Sequence, residues 1–120
     1  MEGKEVKAKL ERAINRIDFR KKPRSDKRYS LVITRNDIFI SSLPIHGGDV
    51  VWNSHIWSIP IWRGSMPIKG WRKLIRAIPD IVLPAWDDDR EEWDKEKLRL
   101  ATYTIEKLAY EAWSDTCNCP

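Results

Sequence analysis

Four side chains in this sequence, His46, His55, Cys117 and Cys119, are of the kind that ligate soft metal ions. A zinc site needs two close pairs of such ligands brought together on one tetrahedron. The spacing here matches none of the usual patterns, so no metal site is expected. Cys117 and Cys119 stand one residue apart, and closing so small a loop would be strained and would remove little chain entropy. They are not expected to form a structural disulfide. The ending Cys117-Asn118-Cys119-Pro120 also lacks the aliphatic middle positions of a prenylation box.

Nor does a catalytic set assemble. His46-Gly47-Gly48 has the composition of part of an oxyanion loop, but no Gly-x-Ser-x-Gly elbow accompanies it. No phosphate-cradling P-loop occurs. Asp87, Asp88 and Asp89 follow one another, where a metal nuclease needs carboxylates converging from different elements. The sequence therefore points away from enzymatic activity and from any cofactor.

The side chains that remain suited to recognition are aromatic and basic. Seven tryptophans in 120 residues supply rigid apolar area with a polar edge, the composition of binding hot spots. Trp57, Trp62 and Trp71 are the candidate protein-contact anchors, with Tyr103 and Tyr110 as a second patch and Arg72 and Arg76 as orienting charges. Core filling is the competing role for the tryptophans, and packing against the first helix is the competing role for the tyrosines. The alternative reading is nucleic-acid binding: Arg12, Arg16, Arg20, Lys21, Lys22, Arg24, Lys27 and Arg28 could neutralise phosphates while a nearby ring stacks on bases.

Positioning these groups requires a mixed fold. From 5–19, Val6, Leu10, Ala13, Ile14 and Ile17 recur at helical spacing, with Lys9, Arg12, Arg16 and Arg20 along the neighbouring flank. Residues 21–28 form a charged loop interrupted by Pro23. Stretches 29–34 and 38–41 are β-branched and aromatic around the turn Arg35-Asn36-Asp37, a hairpin signature. Two further extended pieces, 49–52 and 55–60, complete a three- or four-stranded antiparallel sheet, with Pro60 at an edge or a strand end. Strict alternation puts His55, Trp57, Ile59 and Ile61 on one side and Ile56, Ser58 and Trp62 on the other. Trp57 and Trp62 thus enter the same layer only through a bulge.

A short basic helix over 70–78 follows, carrying Trp71, Leu74, Ile75 and Ile78 inward and ended by Pro79. Ile81-Val82-Leu83-Pro84 reads as a buried connector. Asp88 and Asp89, with Glu91 and Glu92 three residues on, resemble N-terminal capping boxes. They predict a last helix over 90–113 whose core face is Leu98, Ala101, Ile105, Leu108 and Ala112. Tyr103 and Tyr110 share its other face with Glu96, Arg99 and Lys107, and Leu100 lies at the margin. The order helix, three strands, helix is similar in outline to the double-stranded RNA-binding domain. The connections are longer here, however, and the helix-start lysine cluster is matched only by Lys69, Arg72 and Lys73.

At 42% hydrophobic and 33% charged, the chain has the balance of one folded α+β domain spanning 1–120, with a frayed tail from about 115. Its net charge of +4 is unevenly spread. Residues 1–28 carry eleven basic against five acidic groups, and 87–120 carry five against ten. Such a sequence dipole steers association with charged partners. No stretch has the roughly 20 apolar residues of a membrane span, and the charged start lacks a signal-like apolar region, so a cytoplasmic location is expected. The expectation is a small non-catalytic binding protein of the protein-interaction or inhibitor type, accessory in character, that occupies a surface of a larger protein or nucleoprotein complex. Its oligomeric state is not fixed by the sequence.

Overall fold

The first helix forms where apolar residues repeat at three- and four-residue steps. In the computed structural model, which describes residues 2–17, 27–44, 55–63 and 68–116, with the backbone alone at 43, 44, 55, 62, 63, 68 and 113–116, α1 runs Gly3–Asn15 and buries Val6, Leu10, Ala13 and Ile14. It ends earlier than the expected residue 19, because Arg16 and Ile17 turn tightly. The Arg16 N–H donates to the Arg12 carbonyl at 3.1 Å and that of Ile17 to Ile14 at 3.0 Å. Glu2 provides no side-chain cap. The Gly3 N–H instead donates to Asp88 Oδ1 at 2.9 Å, so a distant carboxylate satisfies one of the orphan donors of the first turn.

The expected hairpin is present and longer than its β-branched cores. Strands β1 (Lys27–Thr34) and β2 (Ile38–Pro44) pair antiparallel from Lys27 opposite Pro44 to Ile33 opposite Ile38. Lys27 and Arg28, assigned to a loop from sequence, are thus the first rungs of the ladder. The connecting turn is closed by its own polar groups: the Thr34 N–H donates to the Asp37 carbonyl at 2.9 Å, and the Asp37 N–H to Thr34 Oγ1 at 2.9 Å. Strand β3 (His55–Arg63) pairs antiparallel with the other side of β1, giving the order β2-β1-β3. The strand expected over 49–52 lies outside the described residues.

Two register shifts interrupt the β1–β3 pairing and leave Ile56 and Ile61 as extra residues on β3. The second sets Trp62 opposite Tyr29, while Ile59 and Ile61 both stay buried. At each shift two residues of β3 oppose one of β1, the pattern of a β-bulge. Pro60 is exposed on β3, which is an edge strand among the described residues, so its missing N–H costs no central ladder bond.

Helix α2 spans Ile68–Val82 with Pro79 inside it. Pro79 does not end the helix as expected. Ile78 and Val82, on either side of it, are fully buried, and their packing carries the helix one turn further despite the lost hydrogen bond. A single 3₁₀ turn, Leu83–Ala85, leads to a two-stranded hairpin of β4 (Trp86–Asp87) and β5 (Glu92–Trp93). Trp86 and Trp93 meet edge to face across it, centroids 5.3 Å apart.

Helix α3 runs Lys95–Thr116, not from Arg90. The aspartates expected to start it are used elsewhere. Asp87 Oδ1 accepts the N–H groups of Asp89 and Arg90 in the hairpin turn, and Asp88 serves α1 and Trp86 Nε1. Glu91, at φ 52°, takes the left-handed conformation that turns the chain back. Asp94 is the true cap, accepting from the Lys97 N–H at 3.1 Å. Residues 117–120 lie outside the described residues.

All three helices cover one face of the sheet. Val6, Leu10 and Ile14 of α1, Trp71, Leu74, Ile75 and Ile78 of α2, and Leu98 and Ile105 of α3 join Leu31, Ile33, Ile38, Ile59 and Ile61 in one apolar cluster. Among the described residues, no helix is long and apolar enough to cross a membrane.

Candidate protein-interaction site

The long C-terminal helix has two faces of different composition. Leu98, Ala101 and Ile105 are buried, and Leu108, Ala109 and Ala112 pack partly against the same cluster. At 3.6 residues per turn, Tyr103 points directly away from Ala112 and Ile105, and Tyr110 follows two turns later on the same side. Both rings are exposed, Tyr103 by 57% and Tyr110 by 69%, and Leu100 beside them by 54%. These three are the exposed large hydrophobic residues among the described ones. They form a stripe about 15 Å long.

The stripe is set in charge. Arg99 donates through Nε to Glu96 Oε2 at 3.2 Å and pairs a second time through Nη2 with Oε1. Its guanidinium lies over the Tyr103 ring, 5.9 Å from the centroid. The hydrogen bond to Glu96, joined by that carboxylate's charge, raises the Arg99 pKa above its ordinary value, so the cation persists across any working pH. Lys107 and Glu106 stand exposed between the tyrosines. An apolar stripe with a cation fixed over one ring offers flat aromatic contact and orientation together.

Trp57 fixes this helix to the sheet. It is half-buried on β3, and its Nε1 donates to Thr102 Oγ1 at 2.9 Å, while the same hydroxyl donates to the Leu98 carbonyl at 2.8 Å. Thr102 immediately precedes Tyr103, so the bond holds α3 to the sheet beside the exposed stripe. Gly70 makes the second close approach. A Cβ there would lie 2.9 Å from Ala112 Cβ, so α2 and α3 touch backbone to backbone.

The residues singled out from sequence separate into distinct sets. Trp71 is only 3% exposed and lies 5.9 Å from the Tyr29 ring. It is a core residue, removed from the surface on which an anchor must lie. Trp57 is partly withdrawn as well, its polar edge committed to Thr102. Trp62 pairs through its backbone with Tyr29, and its ring is outside the described residues. Arg72 is half-buried and Arg76 exposed on α2, which packs against the side of α3 opposite Tyr103. Of the anchors whose side chains are described, only Tyr103 and Tyr110 are exposed, and both lie on the outer face of α3.

The basic set is likewise divided. Arg12 on α1 and Arg16 just past its end are exposed, and Lys27 and Arg28 are half-buried at the start of β1. Arg20, Lys21, Lys22 and Arg24 lie outside the described residues, as do His46, Cys117, Cys119 and the His55 side chain. Among the described residues no group of three or more His, Cys, Asp or Glu could hold a metal. Thr102 went unnoticed in the sequence, where a hydroxyl between Ala101 and Tyr103 carries no signal of its partner on a strand 45 residues away.

Compared with protein-family models, curated proteins and solved structures, the chain matches none.

Proposed function

We propose that this protein is a non-catalytic protein-interaction module of the inhibitor or accessory type, which acts in the cytoplasm by covering a surface of a larger protein or nucleoprotein complex. The observation that supports this is the outward stripe of Leu100, Tyr103 and Tyr110, opposite the core face of a helix tied to the sheet. A helix whose inner face already completes a core has no folding requirement for two tyrosines on its outside, whereas tyrosine is enriched where proteins meet. The uneven charge would steer and orient the encounter. The test is affinity capture from cell extract with the parent and with Tyr103→Ala/Tyr110→Ala. A stoichiometric protein that survives nuclease and salt, and is lost with the variant, is the expected result.

Direct nucleic-acid binding is the second reading. One observation favours it: Arg12 and Arg16 are exposed, and Lys27 and Arg28 are half-buried at the first rungs of β1. If these groups contact phosphates, affinity would fall steeply with salt.

A further inference from the structure

Resting on the reading of the partner as a nucleoprotein complex, we infer that the outer face of α2 holds the phosphate backbone of a nucleic-acid duplex. Charge divides between the elements. Strands β1, β2 and β3 and helix α2 together carry seven Lys or Arg and a single acid, Asp80, whereas residues 87–120 carry five basic groups against ten acidic. On α2, Lys69, Lys73 and Arg76 recur at helical spacing and are all exposed, so they form one row about 10 Å long. The row points away from Trp71, Leu74, Ile75 and Ile78, which are buried. Among the described residues, neither Lys69 nor Lys73 is held in an ion pair. Lys27, two residues before Tyr29, lies on the same face of β1, and the Tyr29 ring stands 5.9 Å from that of Trp71. The start of β1 therefore adds a cation on the α2 side of the sheet.

The chemistry of the row selects its occupant. A protein interface is anchored by aromatic and aliphatic side chains and is depleted in Lys. The outer face of α2 offers no such anchor, because the exposed large hydrophobic residues among the described ones are all on α3. Phosphate contacts need only cations and polar donors. A single strand is held by stacking its bases on exposed rings, but Trp71 is buried and Tyr29 packs against the core that contains it. A duplex presents its phosphates without needing such a platform. The row holds no Ser, Thr, Asn or Gln to recognise a 2′-hydroxyl, so DNA and RNA duplexes are held alike. Ala112 of α3 meets α2 at Gly70, and Tyr103 points away from Ala112, so the row and the tyrosines occupy different surfaces.

Fluorescence anisotropy of labelled DNA and RNA duplexes of about 20 base pairs, titrated with the full chain between about 50 and 200 mM salt, reads this directly. Far-UV circular dichroism verifies that each variant is folded. The expected result is equal binding of both duplexes, with a Kd on the order of 10 μM at the lower salt, and weaker binding of the single strands. Lys69→Ala/Lys73→Ala removes two phosphate contacts and should reduce the slope of log affinity against log salt by about 1.8. Over that salt range the parent then loses about tenfold more affinity than the variant. Lys69→Arg/Lys73→Arg should keep the parent slope, and Tyr103→Ala/Tyr110→Ala should bind duplex as the parent does. An unchanged slope in Lys69→Ala/Lys73→Ala overturns the inference. If Arg12→Ala/Arg16→Ala lowers the slope instead, nucleic-acid contact stands and only its place on α2 falls. Tighter binding of a single strand overturns the inference, as does a parent that binds vesicles of anionic lipid and no duplex. Protein docking on α3 is judged separately, by whether Tyr103→Ala/Tyr110→Ala loses a captured protein.

Discussion

Replacing Thr102 with Val tests how the exposed helix is held, because the change is nearly isosteric and removes one hydroxyl. That hydroxyl accepts from Trp57 Nε1 at 2.9 Å and donates to the Leu98 carbonyl at 2.8 Å. The carbonyl lies four residues back, within the helix's own hydrogen-bond ladder, so its loss is minor. The indole N–H loses its acceptor, and an unmade hydrogen bond at a buried donor costs about 1–3 kcal/mol. Trp57 and Thr102 are only half-buried, and water reaching the site recovers part of this, which leaves about 1–2 kcal/mol. Thr and Val have nearly equal helix propensities, so no compensating term enters. For a chain of this size, about 1 kcal/mol lowers Tm by roughly 4 °C. Urea unfolding followed by far-UV circular dichroism should show a lower midpoint at unchanged slope. In a double-mutant cycle with Trp57→Phe, Thr102→Val should cost little once the indole N–H is gone, a coupling of about 1 kcal/mol. If Thr102→Val leaves the midpoint unchanged, or the two changes simply add, the bond does not anchor α3.

Other substitutions follow from the same geometry. Gly70→Ala should destabilise by about 1 kcal/mol in urea unfolding, since overpacking against Ala112 at 2.9 Å costs about 1–3 kcal/mol and the better helix propensity of Ala returns about 1; a more stable variant would mean that the two helices part freely. Asp88→Ala should lower stability by about 1 kcal/mol through the lost cap on Gly3, as should Asp94→Ala for α3. Asp89→Ala, on an exposed residue whose backbone alone takes part in the turn, should stay within about 0.5 kcal/mol; a larger loss at Asp89 than at Asp88 would restore the capping role the sequence suggested. Tyr103→Ala/Tyr110→Ala should leave the unfolding midpoint within about 0.5 kcal/mol of the parent, because both rings are exposed. A severe loss of stability would instead make them structural.

The helical periodicities of α1 and α3, the 29–41 hairpin and the mixed α+β class were legible because each rests on local pattern. The apolar residues at Val6, Leu10 and Ile14, or at Leu98, Ala101 and Ile105, have one face to bury and a single period that allows it. Element ends were less legible where tertiary contacts decide them. Asp88 has the same local chemistry whether it caps the following helix or reaches back to Gly3, and only the fold chooses between the two. Pro79 is a helix stop by local rule, yet burial of Ile78 and Val82 overrides it.

The candidate site shows the same division. The mixed outer face of α3 could be read from the seven-residue spacing of Tyr103 and Tyr110. The fate of the tryptophans could not, because Trp71 in the core and Trp57 bonded to Thr102 differ in surroundings that sequence spacing does not encode. The local pattern that puts Trp71 on an apolar helix face already gave its core role as the competing reading.

The claim on which the account turns is that the outer face of α3 is where another protein docks. Affinity capture from cell extract, with nuclease and at two salt concentrations, tests it when the parent and Tyr103→Ala/Tyr110→Ala are compared side by side. The account predicts one stoichiometric protein retained by the parent at both salt concentrations and absent from the variant. Equal retention of that protein by both would contradict it, as would an eluate holding only nucleic acid that disappears with salt.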